Sequence, residues 1–328
     1  MSRSLRVGVI GTGFGAQVVA PAFASLRECD VVGVVSPRDD AAVASLCARP
    51  DLDLVSVHSP PFLHLEHVRR AIDAGHAVLC DKPFGRNADE SAAMVRQAAD
   101  AGVLGFVNFE RRYDPTRVRL RELLRGGAVG EPNHFQYTRY IALPEPRPYN
   151  WLSSRELGGG WLGGQGSHVI DMIRWLFGEI GGATATMRTL VPERVDADGT
   201  WHACDAEDAV AAVLHTVTGV SAVMDIAIES SVHLPEHTAA HGPDGMLEID
   251  GDRVLRRTST APDEVHDVDL GGVPALFLAM QRWAGVVCES IRTGMVPDGA
   301  PTFADGLACA RVMDQLRAHR VDPASPVR

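Results

Sequence analysis

Gly11-Thr12-Gly13-Phe14-Gly15-Ala16 is the first stretch whose residue types and spacing could do chemistry. Gly11 permits a tight turn, Gly13 lets the backbone come close to a pyrophosphate, and Ala16 is small enough for a following helix to pack on a preceding strand. A helix opening at Thr12, Phe14 and Gly15 offers unpaired N–H groups and a partial positive charge to phosphate. This is the chemistry of dinucleotide binding.

Ser36-Pro37-Arg38 follows the second apolar run, where an acidic residue would hold the adenosine ribose 2′-hydroxyl. With no carboxylate there, a 2′-phosphate is not repelled, and Ser36 and Arg38 can hydrogen-bond it. The expected cofactor is therefore NADP, with NAD the alternative. In the competing reading the segment is a solvated turn in which Asp39 caps the next helix. Further on, Ser59-Pro60-Pro61 with His64, and Asp81-Lys82-Pro83, each follow a strand-like run, and Asn108 ends another. Ligands of doubly wound sheets sit outside the carboxyl ends of the strands, so these segments are expected to line the nicotinamide end. Gly158–Gly166 is glycine-rich and leads into His168, with Asp171 one helical turn beyond.

The elements that must position these groups follow from hydrophobic periodicity. Apolar runs at 5–10, 31–35, 52–57, 77–80 and 103–107 alternate with helical patterns at 14–26, 39–48, 63–74 and 89–101. That alternation predicts parallel βαβ units and an α/β doubly wound Rossmann domain over 1–120. From about 121 to 328 the rhythm changes to an α+β domain with a large, mostly antiparallel open sheet. It carries a strong helix at 167–177, hairpins at 208–229 and 246–258, and closing helices at 275–293 and 303–320, the last able to pack back on the N-terminal domain. With 328 residues, two domains are expected.

A net charge of −11 argues against nucleic acid or an anionic membrane as partner. There is no apolar run long enough to span a bilayer and no secretory pattern at the N-terminus, so the chain reads as cytoplasmic. The six cysteines lack metal-ligand spacing and are expected to be reduced and buried. His233, His237 and His241 recur every four residues but keep strand-like company with Pro235, and are read as strand or loop residues with no metal.

In this order, GxGxxA, a proline turn with a downstream histidine, [ED]KP, then GGG…GxHxxD resembles the glucose–fructose oxidoreductase and inositol dehydrogenase (Gfo/Idh/MocA) family over essentially the whole chain. The resemblance implies an enzyme that transfers hydride between NAD(P) and a hydroxyl or carbonyl of a sugar, cyclitol or related polyol. It also implies a C-terminal sheet that forms the substrate pocket and a homodimer or homotetramer interface. Lys82 matches the family's catalytic lysine, whose ammonium holds the substrate oxygen, and His168 its proton-transferring histidine. Asp81 stands where many relatives carry Glu and can orient Lys82. Asp171 can fix the His168 tautomer or simply pair locally.

Trp151, Trp161 and Gln165 are candidate sugar contacts or, equally, core and interface residues. Arg111, Arg112 and Tyr113 could cap the next helix or bridge the domains. The chain departs from the family at Gly164, where many dehydrogenases carry an Asp. Gly163-Gly164 is expected to leave an open, flexible backbone there. That departure keeps alternative activities in view: a non-redox cofactor holder, or a lyase that recycles its cofactor.

Overall fold

Five short strands, apolar on both faces, build one parallel sheet: β1 (Leu5–Ile10), β2 (Cys29–Val35), β3 (Leu54–Val57), β4 (Ala77–Cys80) and β5 (Gly105–Val107), in the order β2-β1-β3-β4-β5. Val7, Val9, Leu54, Val55, Val78 and Leu79 are fully buried, as strands covered by helices on both sides must be. The crossovers are α1 (Ala20–Ala24, preceded by a π-helical turn at Gly15–Val19), α2 (Asp40–Cys47), α3 (Pro61–Asp73) and α4 (Ala88–Ala101). The chain reverses direction across the sheet between β1 and β3, so the two strand ends that flank a ligand in this fold are those at Gly11 and His58.

The structure is a computed structural model and describes residues 3–320. Among the described residues two compact units emerge: 3–113 with 273–311, and 114–272 with 312–320. In the first, α7 (Ala275–Thr293) buries Met280, Trp283 and Val287 in one core with Val7, Val9 and Phe23. Trp283 stacks on Tyr113 at 5.1 Å. The division at residue 120 therefore needs correcting, because the chain leaves this unit at Tyr113 and returns at Val273 to lend it an apolar helix. The first part of α8 (Phe303–Ala318) also belongs here, and Phe303 meets the Phe84 ring at 4.4 Å.

The second unit opens with α5 (Pro115–Arg125), capped by Asp114 through Thr116 and Arg117. Its sheet has eight strands: β6 (His134–Ile141), β7 (Ile180–Arg188), β10 (Ala209–Thr216), β11 (Ser221–Ile228), β12 (Leu234–Gly242), β13 (Gly245–Asp250), β14 (Arg253–Arg257) and β15 (Glu264–Asp267). Their order is β15-β14-β13-β12-β6-β11-β10-β7. Only β6 and β11 run parallel. Val210, Ala212 and Leu214 of β10 are buried, while the alternate Ala211, Val213 and His215 face outward; the strong helix of this unit is α6 (Ser167–Phe177). A separate ribbon joins β8 (Glu193–Val195) to β9 (Trp201–Ala203). No described helix is long and apolar enough to cross a membrane.

Candidate active site

At the end of β1, Gly11 has φ +149°, and a Cβ there would sit 2.7 Å from the His58 carbonyl oxygen at the end of β3. Gly15 is pressed as closely, its Cβ position lying 3.0 Å from His58 Cβ and 3.2 Å from Val9. Gly13 has no atom within 4 Å of its Cβ position. Two glycines are thus needed to pack helix, strand and β3 exit together, and the third keeps the outer face open. Ala16 is partly exposed, so the tight helix–strand contact falls on Gly15 rather than on Ala16 as the spacing suggests. Thr12 and Gly13 are exposed, and no side chain caps the helix start at Phe14. An uncapped helix start with an open glycine before it fits a pyrophosphate. At the end of β2, Ser36 Oγ accepts the Arg38 amide at 3.3 Å, Arg38 is exposed, and Asp39 caps α2 through the Ala42 amide.

At the ends of β3 and β4 a buried chain of polar groups converges on Asp81. Ser56 Oγ lies 2.8 Å from His58 Nε2, and His58 Nδ1 lies 3.1 Å from Asp81 Oδ2. The set is satisfied when Nδ1–H donates to the carboxylate and Ser56 donates to Nε2. Although the order is Ser–His–Asp, Ser56 is fully buried, so the set anchors Asp81 and offers no nucleophile. Asp81 Oδ1 accepts the Lys82 backbone amide at 2.8 Å, and Asn108 Nδ2 approaches it at 3.5 Å. Burial pushes Asp81 upward, but the His58 hydrogen bond and nearby positive groups outweigh it and hold the carboxyl at about 2. Lys82 is half-buried and leads through a cis peptide into Pro83. Burial lowers its pKa, Asp81 and Glu110 work to raise it, and Arg111 adds to the lowering.

His64 falls on the same face of α3 as His67, Val68 and Ala71 and is fully buried. Its Nε2 lies 2.7 Å from the Ser59 carbonyl, and its Nδ1 3.1 and 3.2 Å from those of Pro83 and Phe84. It staples the Ser59–Pro60 turn to the Pro83–Phe84 turn. Ser59 is buried and bonds His67 through Oγ at 3.1 Å, while Pro60 is half-buried at the start of α3. Asn108 is fully buried beside Asp81. Arg112 bonds the Gly299 carbonyl and Asp305 within the first unit.

The second unit carries the histidine. Gly160 has φ +104° and lies against the Glu207 carboxylate, leaving no room for a side chain. Residues 162–166 form a π-helical turn that runs directly into α6, and Ser167 Oγ donates to the Gly163 carbonyl at 2.7 Å. The Gly163-Gly164 backbone is therefore helical, not open and flexible. A Cβ at Gly164 would meet the Trp161 ring at 3.0 and 3.2 Å, so a side chain there would require that indole to shift by a few tenths of an ångström. His168 and Asp171 are buried on the first two turns of α6. Gln165 is also buried, donating to the Tyr137 hydroxyl at 2.6 Å, which in turn donates to Glu236. Arg117 pairs with that same Glu236 at 2.6 Å, so Gln165 is part of an internal polar network. Trp151 is half-buried in a 3₁₀ turn capped by Asn150. His237 and His241 lie in β12, His237 pairing with Glu248 at 3.1 Å.

Residues 5–109 match the oxidoreductase family with an NAD-binding Rossmann fold, and residues 118–248 match the GFO/IDH/MocA C-terminal domain. The chain belongs to the Gfo/Idh/MocA oxidoreductase family. This family member is 25% identical to a levoglucosan dehydrogenase of Pseudarthrobacter phenanthrenivorans, over 96% of this chain and 95% of that one. It is 33% identical to an uncharacterized oxidoreductase of Synechocystis over 60% of this chain and 57% of that one. It is 30% identical to an NADP-dependent scyllo-inositol 2-dehydrogenase of Bacillus subtilis, over 56% of this chain and 55% of that one. Among solved structures, a levoglucosan dehydrogenase in complex with NADH and levoglucosan superposes with a TM-score of 0.85, at 22% identity over 97% of both chains.

For a Gfo/Idh/MocA oxidoreductase, two features of the site escaped the sequence reading. Glu110, at the start of the 3₁₀ turn Glu110–Tyr113, is buried and within electrostatic reach of Lys82 and Asp81. The other had a signal in plain view. Of the 31 lysines and arginines, Lys82 is the single lysine. A chain that uses arginine everywhere else keeps an amine at this one place.

Proposed function

We propose that the protein is an NAD(P)-dependent dehydrogenase or reductase acting on a CH–OH group of a sugar, cyclitol or related polyol, with Lys82 and His168 handling the substrate oxygen and its proton. The observation that carries this is the lone lysine, anchored through Asp81 at the end of β4 of a sheet whose first strand leads into an uncapped glycine-rich helix start. When bound, the nicotinamide supplies the hydride acceptor. The Lys82 ammonium donates to the substrate oxygen and stabilises alkoxide character. His168 takes the hydroxyl proton in oxidation and returns it in reduction. The likeness to named levoglucosan and inositol dehydrogenases supports this substrate class. A panel of polyols and ketosugars, followed by absorbance of the reduced cofactor, is expected to reveal turnover that Lys82→Ala abolishes. Turnover indifferent to both Lys82→Ala and His168→Ala would refute the assignment.

NADP is the proposed preference, on the absence of an acid after β2 and the presence of Ser36 and exposed Arg38. Ser36→Asp is expected to weaken NADPH binding by about tenfold or more while sparing NADH, because a carboxylate repels a 2′-phosphate and accepts a 2′-hydroxyl. Fluorescence titration of both reduced cofactors measures this, and tighter NADH binding in the parent protein would overturn the preference. The outward face of the large sheet, with Val213 and Val223 exposed, is the proposed homo-oligomer surface. A cytoplasmic setting is proposed from the same sequence features that suggested it. The indole over Gly164 supports a second reading, a cofactor holder or a lyase with a recycled cofactor. That reading gains if cofactor binds and no substrate on the panel gives net reduction.

A further inference from the structure

His58 leaves β3 where two turns of the first unit come close. Its backbone N–H donates to the Ile10 carbonyl at the end of β1 at 2.7 Å, and the Asp81 N–H repeats the pattern on the Val57 carbonyl at 2.8 Å. On one side the residue is pressed against the glycine-rich turn. Its carbonyl oxygen lies 2.7 Å from the Cβ position of Gly11, its own Cβ lies 3.0 Å from that of Gly15, and its ring meets the Phe14 ring at 6.1 Å. On the other side its Nδ1 lies 3.1 Å from Asp81 Oδ2, and the second oxygen of that carboxylate accepts the Lys82 amide at 2.8 Å. One residue therefore touches both the glycine turn and the carboxylate that holds the lysine turn.

A strand exit packed this tightly does not by itself ask for histidine, because a buried ring with two polar nitrogens costs free energy unless both are bonded. Here both are. Ser56 Oγ lies 2.8 Å from Nε2, Asp81 takes Nδ1, and the His58 side chain has no exposed surface. Two bonds give the ring one seat, and the glycine turn has no slack against it, since even a methyl group at 11 or 15 would collide. Interiors packed to this density pass a displacement on rather than absorb it. We propose that His58 is a positioning residue that couples the glycine-rich turn to Lys82. When a diphosphate settles on the N–H groups of residues 11–15, the turn bears on His58, and the imidazole carries the change through Asp81 to the Lys82 peptide. This rests on the reading of that turn as the cofactor's phosphate site and of Lys82 as the group that holds the substrate oxygen. Bound cofactor then strengthens the hold on substrate, and by linkage substrate strengthens the hold on cofactor.

The lone lysine makes the test direct. Full-length protein grown on lysine labelled at 13Cε gives one side-chain signal, that of Lys82. The probes are ADP and ADP bearing a 2′-phosphate. Both carry the diphosphate, and neither carries the nicotinamide or its ribose that could touch the lysine. Calorimetry follows binding, and the lysine signal follows the response. At saturation the parent signal is expected to shift. His58→Leu keeps Cβ against the glycine turn and removes both nitrogens, so the probe still binds while the shift is lost. His58→Asn puts an amide N–H where Nδ1–H stood and restores the shift. A parent signal unmoved at saturation overturns the proposal. So does an undiminished shift in His58→Leu, which would mark a field effect of the phosphates that needs no imidazole. Should the leucine variant not fold, the parent response decides alone. If neither probe binds, the cofactor reading falls and the coupling with it, whereas binding with a silent lysine defeats the coupling and leaves the cofactor reading standing.

Discussion

Lys82→Arg is expected to lower kcat by about 10²- to 10³-fold, the loss typical of removing one donor to a developing oxyanion. Reduced-cofactor affinity should stay within about threefold, because direct phosphate contacts are expected at Gly11–Gly15. Charge is conserved in this substitution, so a residue needed only as a cation would tolerate it. Guanidinium, though, is planar and bulkier, spreads its charge over a fork, and does not lose its proton in the working range. An amine at the end of β4 is a compact donor whose pKa responds to Asp81, Glu110 and Arg111. The composition makes this comparison pointed, since every other basic position among the 31 is arginine. Steady-state kinetics with the best substrate of the panel decides it. A variant with more than about a third of parental kcat would mean that Lys82 acts as a charge and nothing more.

Arg194→Ala is expected to cost about 3–5 kcal/mol, enough to remove much of the stability of an ordinary domain. The Arg194 side chain is 1% exposed. It donates to Glu229 Oε1 at 2.7 Å, to Asp208 Oδ1 at 3.3 Å and to the Arg147 carbonyl at 3.2 Å. Arg147 bonds the same two acids at 3.1 and 3.3 Å, so two cations and two anions balance in the interior of the second unit. Removing one arginine leaves one negative charge buried in excess. The network also holds Glu229 at φ +61°, a left-handed backbone that few non-glycine residues adopt.

The sign with pH follows from Glu229. Burial raises its pKa, but hydrogen bonds from Arg194 and the Arg147 amide outweigh it and leave the carboxyl below its ordinary value. Such a group stabilises the fold above the unfolded carboxylate range, and that stabilisation fades as pH falls through the folded value. The deficit of Arg194→Ala should therefore be full at pH 7 and shrink towards pH 4, as read by urea unfolding at each pH. A loss under about 1 kcal/mol at pH 7 would show that the cluster is not the support the distances imply.

Where local pattern decides the structure, the sequence could be read closely. The helix Ser167–Phe177 and the pairing of residues 209–216 with 221–228 are set by periodicity and a Thr-Gly turn. Interior strand β6 was not legible, because its alternation of Phe135 and Tyr137 with Gln136, Thr138 and Arg139 hides in polar company. Gln165 looks like a free amide beside a glycine loop, and only the meeting of β6, β12 and α5 at Glu236 buries it. His64 faces inward because it lies one turn before Val68 on the buried face of α3, a placement its polar type conceals. Glu110 carries a charge directly after a strand, which reads as surface until the turn at Arg112 is fixed by Asp305 nearly two hundred residues away.

The indole lying over Gly164 couples two positions. A first side-chain carbon at 164 would come within 3.0 Å of the Trp161 ring, so any larger residue there asks that ring to move by a few tenths of an ångström. Substitutions at 161 and 164 are therefore expected to be non-additive, each setting what the other costs.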